Sequence, residues 1–507
     1  MTSARPCDGQ VRGTTPDGRL YPEPVARHPF SAVNLISDPI HGYVELTKRL
    51  APGEAAAAGL PDEDAAEDDL LDTAWVQRLR RISQLQSARW VFPTAEHSRF
   101  THGLGVMHEA GLWARSLYPS LRTVLAAGPP DERAVADRAV ADRAIAEPIP
   151  SEALVVETLR MAGLLHDVGH GPFAHYFDDQ VLSAFPAPPD ARRPGVKTLS
   201  HEDLSQLIIE RELGPLIGAL RRAPGNAPVR DAFADDEAID PRWVSFLVAK
   251  PALTDPSMPR WVRLLQPLLS GVFTVDNLDY VRRDAFFTGV HVGIDVERLR
   301  RYAYIGEGGL TLYESGVPAL EGFLGARLLL YLQVYFHRTV RAIDLDLGEV
   351  FGPSVQALFG DRSPADRLAD YVDLDEYALL HQAARWSRGE DIAPQGTARP
   401  GDGRVEREVA DGWRGILLRR PRWHVDAEVR AEYEEGSFPD AVVEVLGSAV
   451  PGRIAIDLAS VDARLPDDEA GKRLTVERRD GYNPALSRAL PRIPGYALVA
   501  RRYRRDD

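Results

Sequence analysis

The chain has 507 residues, 44% of them apolar and 27% charged, values typical of a globular protein longer than a single average domain. Its formal net charge of -15 argues against a protein whose whole surface attracts nucleic acid or an anionic membrane. The single cysteine, Cys7, excludes a disulfide framework and a cysteine-based zinc site, and it favours a cytoplasmic location. We therefore expect any anionic ligand to be bound by locally concentrated positive charge.

Several segments are expected to lie outside the folded core. Residues 1–30 are rich in Gly, Pro, Asp and Arg and contain no apolar signal-peptide core, so they predict a poorly ordered arm. Three further segments are predicted to be inserts, because one is Ala-rich and acidic, one repeats a five-residue unit and one is Pro-rich. They lie near residues 51–72, 120–150 and 185–197. The first of them is expected to add little to a core.

Between these segments the apolar residues recur with helical spacing. The predicted helices cover residues 76–85, 154–165, 200–213, 272–287 and 323–345. The third helix begins at a capping box formed by Ser200 and Asp203. The apolar stretch before Phe336 carries Glu321 and Arg327 and is too interrupted for a membrane span.

The composition changes after about Arg388, where Gly, Pro and Arg dominate as far as Arg414. Strand-like stretches then follow at residues 440–446, 453–458 and 496–501. The predicted fold class is therefore mainly α, with a multi-helix core over residues 31–350 and a helical, then mixed α/β, C-terminal subdomain over residues 351–507. A cluster of arginines near the C-terminus predicts a solvated terminus, with weak binding to single-stranded nucleic acid as the alternative. The cluster contains Arg501, Arg502, Arg504 and Arg505.

Histidines are concentrated in one part of the chain, where seven of the thirteen fall within 105 residues. The adjacent pair His166-Asp167 ends an apolar helix, and a carboxylate desolvated there needs a partner. A divalent cation accepts both ligand types. Asp276, with Tyr280 and Asp284 at i+4 and i+8, lies on one face of a later helix. These patterns favour a metal or acid–base site over isolated structural histidines.

Five ordered sequence blocks resemble a known family. They are DPIHGYVEL (38–46), QRLRRISQL (77–85), VFPTAEHSRFTHGLGV (91–106), AGLLHDVGHGPFAHYFD (162–178) and DNLDYVRRD (276–284), with a weaker match at DYVDLDEYALL (370–380). They contain an H…HD…D series like that of the HD-domain metal-dependent phosphohydrolases. The flanking residues resemble the deoxynucleoside triphosphate (dNTP) triphosphohydrolases, in the branch that includes the vertebrate sterile-alpha-motif HD enzyme. The resemblance implies an HD phosphohydrolase domain over residues 31–350.

The resemblance also implies a metal centre and catalytic residues. The implied metal ligands are His102, His166, Asp167 and Asp276, and this ligand set leaves the divalent ion open among Mn, Fe, Ni, Zn and Mg. The implied catalytic histidine is His175, supported by Asp178 three residues later on one helical face. The implied phosphate-contacting or supporting residues are His170, His201 and Glu202.

Two further groups of residues are implied by the same resemblance. The substrate-binding group comprises Arg99, Gln84, Leu85, Tyr280, Asp284, His337 and Arg341. A regulatory nucleotide site would be formed by Asp72, Gln77 and Arg80, although Asn34 stands where a basic residue is expected, and a solvated helix face is an equal alternative. The implied assembly is a homo-oligomer that binds a nucleotide substrate and an activating nucleotide, with no membrane partner.

Three departures leave the substrate open. Asn277 and Gln333 stand where a lysine and an arginine are expected, and Arg341 replaces a tyrosine. If residues 323–345 form one helix, Gln333, His337 and Arg341 share a face, so Arg341 would restore one positive charge, with a surface arginine as the equal alternative. The expected activity is hydrolysis of a dNTP, dGTP-like or general, to deoxynucleoside and triphosphate. The alternatives are an HD phosphohydrolase or phosphodiesterase acting on another nucleotide, and a nucleotide-sensing or nucleic-acid-binding protein.

Overall fold

The computed structural model describes ten parts of the chain, namely residues 33–49, 65–128, 148–188, 197–225, 231–249, 255, 257–432, 454–462, 474–477 and 496–505. The arm predicted for residues 1–30, the greater part of each predicted insert and the strand predicted at 440–446 lie outside them. The described part is mainly helical, with short sheets and a larger C-terminal sheet. The predicted fold class is confirmed.

The helices are numbered here in chain order. They are α1 (Glu67–Leu71), α2 (Ala74–Arg78), α3 (Arg99–Ala126), α4 (Glu152–Leu165), α5 (His175–Gln180), α6 (His201–Leu207), α7 (Gly214–Ala219), α8 (Pro241–Ala249), α9 (Arg260–Leu265), α10 (Pro267–Ser270), α11 (Val275–Thr288), α12 (Val296–Arg301), α13 (Val317–Leu330), α14 (Arg338–Phe359), α15 (Leu368–Tyr371), α16 (Glu376–Ser387) and α17 (Arg407–Leu417). Short π-helical turns follow α6 and α13, at Ile208–Glu212 and Tyr331–Tyr335.

The strands form four small sheets in the described residues. They are β1 (Val33–Asp38), β2 (Gly42–Thr47), β3 (Ala303–Gly306), β4 (Gly309–Tyr313), β5 (Ile392–Ala393), β6 (Val405–Glu406), β7 (Trp423–Glu432), β8 (Ile454–Asp462), β9 (Thr475–Glu477) and β10 (Tyr496–Arg505). The C-terminal sheet has the order β7-β10-β8, and its central strand is antiparallel to both neighbours. β7 and α17 have no counterpart in the sequence prediction.

The long helices α3 and α4 pack antiparallel at the centre of the core. Glycines allow them to approach closely, because a Cβ on Gly103 would lie 3.2 Å from the carbonyl oxygen of Leu164, and one on Gly163 would lie 2.9 Å from that of Val106. This contact places the first turn of α3 beside the C-terminal end of α4. His102 and the His166-Asp167 pair are thereby brought together.

Some predicted helices agree with the structure, and others are interrupted. The helix predicted over 154–165 is α4, and the Ser200–Asp203 capping box begins α6 as expected. The helix predicted over 76–85 is wrong beyond Arg81, because α2 passes into a 3₁₀ turn (Leu79–Arg81) and Ile82 is extended.

The single helix predicted over 323–345 is also wrong. The chain turns after Tyr331–Tyr335, and His337 is extended (φ -61°, ψ 128°) as the N-cap of α14. Gln333, His337 and Arg341 therefore do not share one helical face. Gln333 is exposed, whereas Arg341 belongs to the following helix.

Two expectations about peripheral segments are corrected. Residues 65–72 at the end of the first predicted insert do join the core, since Leu70 and Leu71 are buried and Glu67 pairs with Arg160 at 2.7 Å. The C-terminal arginines are not simply a solvated terminus, because Arg501 is buried and its Nε donates to Glu428 at 2.5 Å. Residues 65–72 and Arg501 are therefore integral to the fold.

One segment of the described residues, Glu314–Tyr335, is long and apolar enough to cross a membrane by length and composition alone. Phe323, Leu324 and Leu330 of this segment are buried in the core, and Arg327 faces a cavity described below. Core helices meet the same criterion of length and composition. The segment therefore carries no membrane assignment.

Candidate metal centre and adjoining pocket

Two histidines and two aspartates converge at one end of a cavity. His102 Nε2 lies 3.2 Å from Asp276 Oδ1 and 4.0 Å from Asp167 Oδ2. His166 Nε2 lies 3.2 Å from Asp167 Oδ1 and 3.8 Å from Asp276 Oδ1. Ligand atoms bound at about 2.0–2.2 Å to one ion lie roughly 3–4 Å from one another. The spacing of these four side chains fits a shared divalent cation.

Both imidazoles are oriented so that Nε2 faces this centre. His166 Nδ1 is bonded to the carbonyl oxygen of Gly163 at 2.8 Å, which places the proton on Nδ1 and the lone pair on Nε2. That Nε2 is buried and has no hydrogen-bond partner among the described residues. A buried acceptor in this position is satisfied by a metal ion, so the residues fit the ion that the sequence implies.

The protonation states agree with this arrangement. Burial lowers the pKa of His166, which favours the neutral, metal-binding imidazole. Burial opposes ionisation of Asp167, but His166 and Arg99 hold its pKa well below the usual range. Burial also opposes protonation of His102, yet its hydrogen bonds with Asp276 and Asp279 raise the pKa of the imidazole to about 10. In the metal-free protein a proton on His102 balances part of the carboxylate charge.

Asp279 orients His102 from behind, and the sequence analysis did not identify this role. Its Oδ2 lies 2.8 Å from His102 Nδ1, and its Oδ1 lies 2.6 Å from His41 Nε2. Arg283 donates to both Asp279 oxygens, at 2.8 and 2.9 Å. The available signal was the position of Asp279 on the same helix as Asp276, one turn later.

The predicted pairing of His175 with Asp178 is not the main contact that the structure shows. His175 Nδ1 lies 3.7 Å from Asp178 Oδ2, whereas that oxygen forms a short hydrogen bond with His201 Nδ1. Burial opposes protonation of the His201 imidazole, but the carboxylates of Asp178 and Glu202 raise the pKa of His201. His175 is 64% exposed and faces the cavity. Its catalytic role remains a prediction, while Asp178 chiefly orients His201.

A second cluster of potential ligands lies nearby and contains His170, His175, Asp178 and His201. This cluster lacks the geometry of a second metal site. The rings of His170 and His201 stack with centroids 3.7 Å apart and planes inclined by 19°. An ion bound by imidazole lies in the plane of each ring, along the nitrogen lone pair. Two stacked rings cannot both meet this condition for one ion. Burial and the nearby charges of Arg99 and His201 lower the pKa of His170, which keeps it neutral.

The metal centre lies in the wall of a cavity of about 390 Å³, a size typical of small-molecule sites. Residues predicted from the sequence supply much of its wall, namely Gln84, Leu85, Arg99, His175, His201, Glu202, Tyr280, Asp284 and Arg341. Further lining residues that were not predicted for the site include Ser87, Arg327, Tyr331, Tyr335 and Asp344. Three arginines thus line a cavity in a protein of negative net charge.

Two family models match the chain. The HD domain matches residues 99–226 and the HD associated region matches residues 294–390. The first range contains His102, His166 and Asp167, whose geometry is described above. The chain therefore contains an HD domain followed by an HD-associated region.

Relatives of this HD-domain protein include the uncharacterized protein YwfO of Bacillus subtilis, 28% identical over 74% of this chain and 69% of YwfO. The deoxynucleoside triphosphate triphosphohydrolase SAMHD1 of Homo sapiens is 27% identical over 63% of this chain and 44% of its own length. The SAMHD1 homolog of Dictyostelium discoideum is 25% identical over 68% and 54%. The chain therefore spans about half the length of these SAMHD1 relatives. A crystal structure of a hypothetical protein from Aquifex aeolicus shares the fold, with a TM-score of 0.60, 22% identity and coverage of 93% and 96%.

Not every residue of the predicted substrate group lines the cavity. The ring of His337 packs edge-on against Phe92, 5.6 Å between centroids, and its Nδ1 accepts the backbone N–H of Thr339 at 3.2 Å. His337 therefore caps α14 and lies outside the lining. Asn277 does line the cavity where a lysine was expected, and Arg327 supplies a positive charge there.

The residues assigned to a regulatory nucleotide lie outside the same lining. Gln77 donates to the carbonyl oxygen of Leu71 and accepts from Arg80 Nε, both at 2.8 Å. The Arg80 guanidinium lies 3.6 Å from the ring centroid of Phe100. These local contacts hold Gln77 and Arg80 in place, and Asp72 is exposed beside them. A regulatory role for the three remains a prediction.

Proposed function

We propose that this HD-domain protein is a phosphohydrolase that cleaves dNTPs to deoxynucleoside and inorganic triphosphate. The observation that carries the proposal is the junction of a complete two-histidine, two-aspartate metal centre with a cavity lined by Arg99, Arg327 and Arg341. A polyanion next to a Lewis acid is the substrate that such a cavity suits. Relatives named as dNTP triphosphohydrolases support the choice of substrate class.

The metal centre and the arginines have separate tasks in the proposed reaction. A divalent ion bound by His102, His166, Asp167 and Asp276 would polarise a phosphoryl oxygen. The arginine side chains neutralise the triphosphate and orient it. Without substrate, Arg99 donates a hydrogen bond to Asp167. The substrate oxygens therefore compete with this carboxylate for the N–H groups of Arg99. The reacting phosphorus is thereby held beside the exposed imidazole of His175.

His175 is proposed to complete the proton transfer. A water oxygen forms the new bond to the α-phosphorus while the bond from phosphorus to the 5′ oxygen breaks. The His175 imidazolium donates its proton to the departing 5′ oxygen, and the proton released by the water restores the imidazolium. Asp178 and His201 form a fixed, hydrogen-bonded pair beside it.

The opposite part of the cavity is proposed to bind the deoxyribose. Asp284 is buried and held from two sides, since Tyr335 Oη donates to Oδ2 at 2.5 Å and His97 Nε2 lies 2.8 Å from Oδ1. A carboxylate fixed in this way can accept from a sugar hydroxyl. Gln84 and Leu85 border the same cavity. They would contact the sugar face.

The proposal is tested by the reaction products. Metal-loaded protein is incubated with each dNTP, with and without GTP or dGTP, and the products are separated by ion-exchange chromatography. Inorganic triphosphate and deoxynucleoside should appear in equal amounts. The His166→Ala, Asp167→Ala double variant should release neither. Absence of both products from all wild-type reactions would end the proposal, and wild-type turnover by the double variant would mean that the centre lies elsewhere.

A second candidate is hydrolysis of a different nucleotide or phosphodiester. It is favoured by Asn277 and Gln333, because the expected positive charges are missing at these positions. Monophosphate or pyrophosphate products in a wider substrate screen would support it. A sensing or nucleic-acid-binding role is less well supported, since the metal-ligand set is complete. We also propose a cytoplasmic homo-oligomer, whose subunit number light scattering measures.

A further inference from the structure

The C-terminal sheet packs against the wall of the substrate cavity at the point where the helical chain turns. The carbonyl oxygen of Phe336, beside this turn, accepts a hydrogen bond from Arg501 Nη1 at 2.5 Å. Tyr503 Oη donates to the carbonyl oxygen of Arg338 at 3.0 Å. Both donors come from β10, the central strand of the sheet. The sheet therefore satisfies backbone groups on both sides of His337.

Apolar packing extends this contact to the cavity lining. Ala459 of β8 and Val499 of β10 form a buried cluster with Phe336. Tyr331 and Tyr335, whose side chains line the cavity, pack against the same cluster. One side of this short segment thus faces the sheet and the other faces the cavity.

Arg341 links the two regions by charge. Its Nε donates to Asp457 Oδ2 at 3.0 Å, and its Nη2 forms a short hydrogen bond with Asp457 Oδ1. Asp457 lies on β8 and is 8% exposed. The remaining nitrogen, Nη1, lies 3.4 Å from Oδ2 of Asp344, which also lines the cavity. The guanidinium is therefore fixed along one edge by the sheet and presents the other edge to the cavity.

Asp344 would draw the guanidinium away if Asp457 were absent. Asp344 also accepts from Ser87 Oγ, which holds its carboxyl group in the cavity wall. Arg341 thus lies between the carboxylates of Asp457 and Asp344. It is oriented toward Asp457 because the bidentate pair with Asp457 has the better hydrogen-bond geometry. Removing the charge of Asp457 would let Arg341 turn toward Asp344. The contact between Nη1 and Asp344 would then become a bidentate pair, and fewer N–H groups of Arg341 would remain for the substrate.

We infer that Asp457 is a positioning residue, through which the C-terminal sheet holds Arg341 to bind an anionic group of the substrate. The identification of that group as part of a nucleotide rests on the proposed function. The sheet thereby supports, from behind, the wall of a cavity whose lining residues lie between Gln84 and Asp344. Its role at this site is to raise the affinity for substrate, while the chemistry of the metal centre is left unchanged.

The test compares two aspartates of the same sheet. In Asp457→Asn the charge is removed at constant size, and we expect KM for the dNTP to rise roughly tenfold or more, as for the loss of a charge-assisted contact. The value of kcat should stay within about twofold. Asp426→Asn is the matched control, because Asp426 pairs with Arg502 at 2.8 Å on an exposed part of the sheet. The control should leave both constants unchanged.

A double-mutant cycle separates positioning from a general structural effect. If Asp457 acts through Arg341, Asp457→Asn should have little additional effect on KM in an Arg341→Ala background. Asp457→Glu should restore part of the affinity. Thermal unfolding of each variant checks that the sheet still folds, and Arg341→Lys, which keeps the charge but loses the bidentate pair, provides a second route to the same rise in KM.

The outcomes distinguish this inference from the proposed function. Wild-type KM in Asp457→Asn, or an equal loss in the Arg341→Ala background, would overturn the positioning role while dNTP hydrolysis stands. If the wild type turns over no dNTP, calorimetric binding of inorganic triphosphate replaces KM in the same cycle. Asp457→Asn should then weaken triphosphate binding in the wild-type background but not in the Arg341→Ala background, and this result would support the inference. Absence of triphosphate binding to the wild type would overturn it.

Discussion

His102 Nδ1 lies 2.8 Å from Oδ2 of Asp279, so a buried carboxylate fixes from behind the imidazole whose Nε2 faces the metal centre. Such partners set the tautomer and raise ligand basicity. We predict that Asp279→Asn lowers the affinity for Mn²⁺ by about 10–100-fold. Titration of metal-free protein with Mn²⁺, followed by calorimetry, measures the change.

The control for this prediction is Asp411→Asn, the same substitution at an exposed position of α17. It should bind Mn²⁺ as the wild type does. Because Asp279 also pairs with Arg283, unfolding of both variants is measured in parallel. Unchanged affinity in a folded Asp279→Asn protein would show that His102 needs no carboxylate behind it.

Metal binding should release a proton from His102. The pKa of this imidazole is raised to about 10 in the metal-free site, whereas burial lowers the pKa of His166 and Asp167 remains ionised. The metal therefore displaces one proton, and below that pKa the apparent affinity should fall about tenfold for each unit of decreasing pH. Calorimetric titrations at pH 7 in buffers of different ionisation enthalpy count the protons released.

The His166→Ala, Asp167→Ala double variant is the control for proton release, since it lacks two of the four ligands. It should show neither metal binding nor release. An affinity for Mn²⁺ that is constant between pH 6 and pH 8 in the wild type would contradict the assigned protonation of His102. Such a result would mean that the metal-free imidazole is already neutral.

Ligand identity was predictable from the sequence because it depends on residue type and order. His102, the His166-Asp167 pair and Asp276 lie far apart along the chain, yet the distances between their imidazole and carboxylate atoms are 3.2–4.0 Å. The family resemblance supplied this ligand set, and the structure adds the geometry of its four side chains.

Contacts set by the tertiary fold were not predictable in the same way. Spacing within α5 suggested His175 as the partner of Asp178, but α6 brings His201 closer, 23 residues along the chain. The turn at His337 lies within a continuous apolar pattern, and Arg501 stabilises it from the far end of the sequence. A single-helix pattern contains no sign of either contact.

Glu376 of the HD-associated region is predicted to support the turn that precedes His175. Its side chain is fully buried, its Oε1 accepts from Arg89 at 2.7 Å, and its Oε2 accepts the backbone N–H groups of Ser83 and Phe173 at 3.3 Å. Phe173 has a φ of 59°, a conformation that needs support from its surroundings. We expect Glu376→Gln to lower the free energy of unfolding by about 2 kcal/mol and to reduce kcat.

Urea denaturation followed by circular dichroism measures the first effect, and steady-state turnover measures the second. The neighbouring Tyr377 is 56% exposed, so Tyr377→Phe should change stability by less than about 0.5 kcal/mol. Equal stability and turnover of Glu376→Gln and the wild type would remove Glu376 from any role in holding this turn.

Two glycine-to-alanine substitutions should change stability in opposite directions. A Cβ on Gly105 would lie 2.0 Å from Asp279 Oδ1 and 2.4 Å from Arg283 Nη2, so Gly105→Ala must displace the buried pair behind His102. We expect a loss of at least about 2 kcal/mol and weaker metal retention. Gly322 of α13 has no atom within 4 Å of the added Cβ, so Gly322→Ala should stabilise by about 0.5–1 kcal/mol. Urea unfolding and elemental analysis of both variants test the contrast, and a Gly105→Ala protein that keeps its metal and its stability would show that α3 and α11 can separate without disturbing the centre.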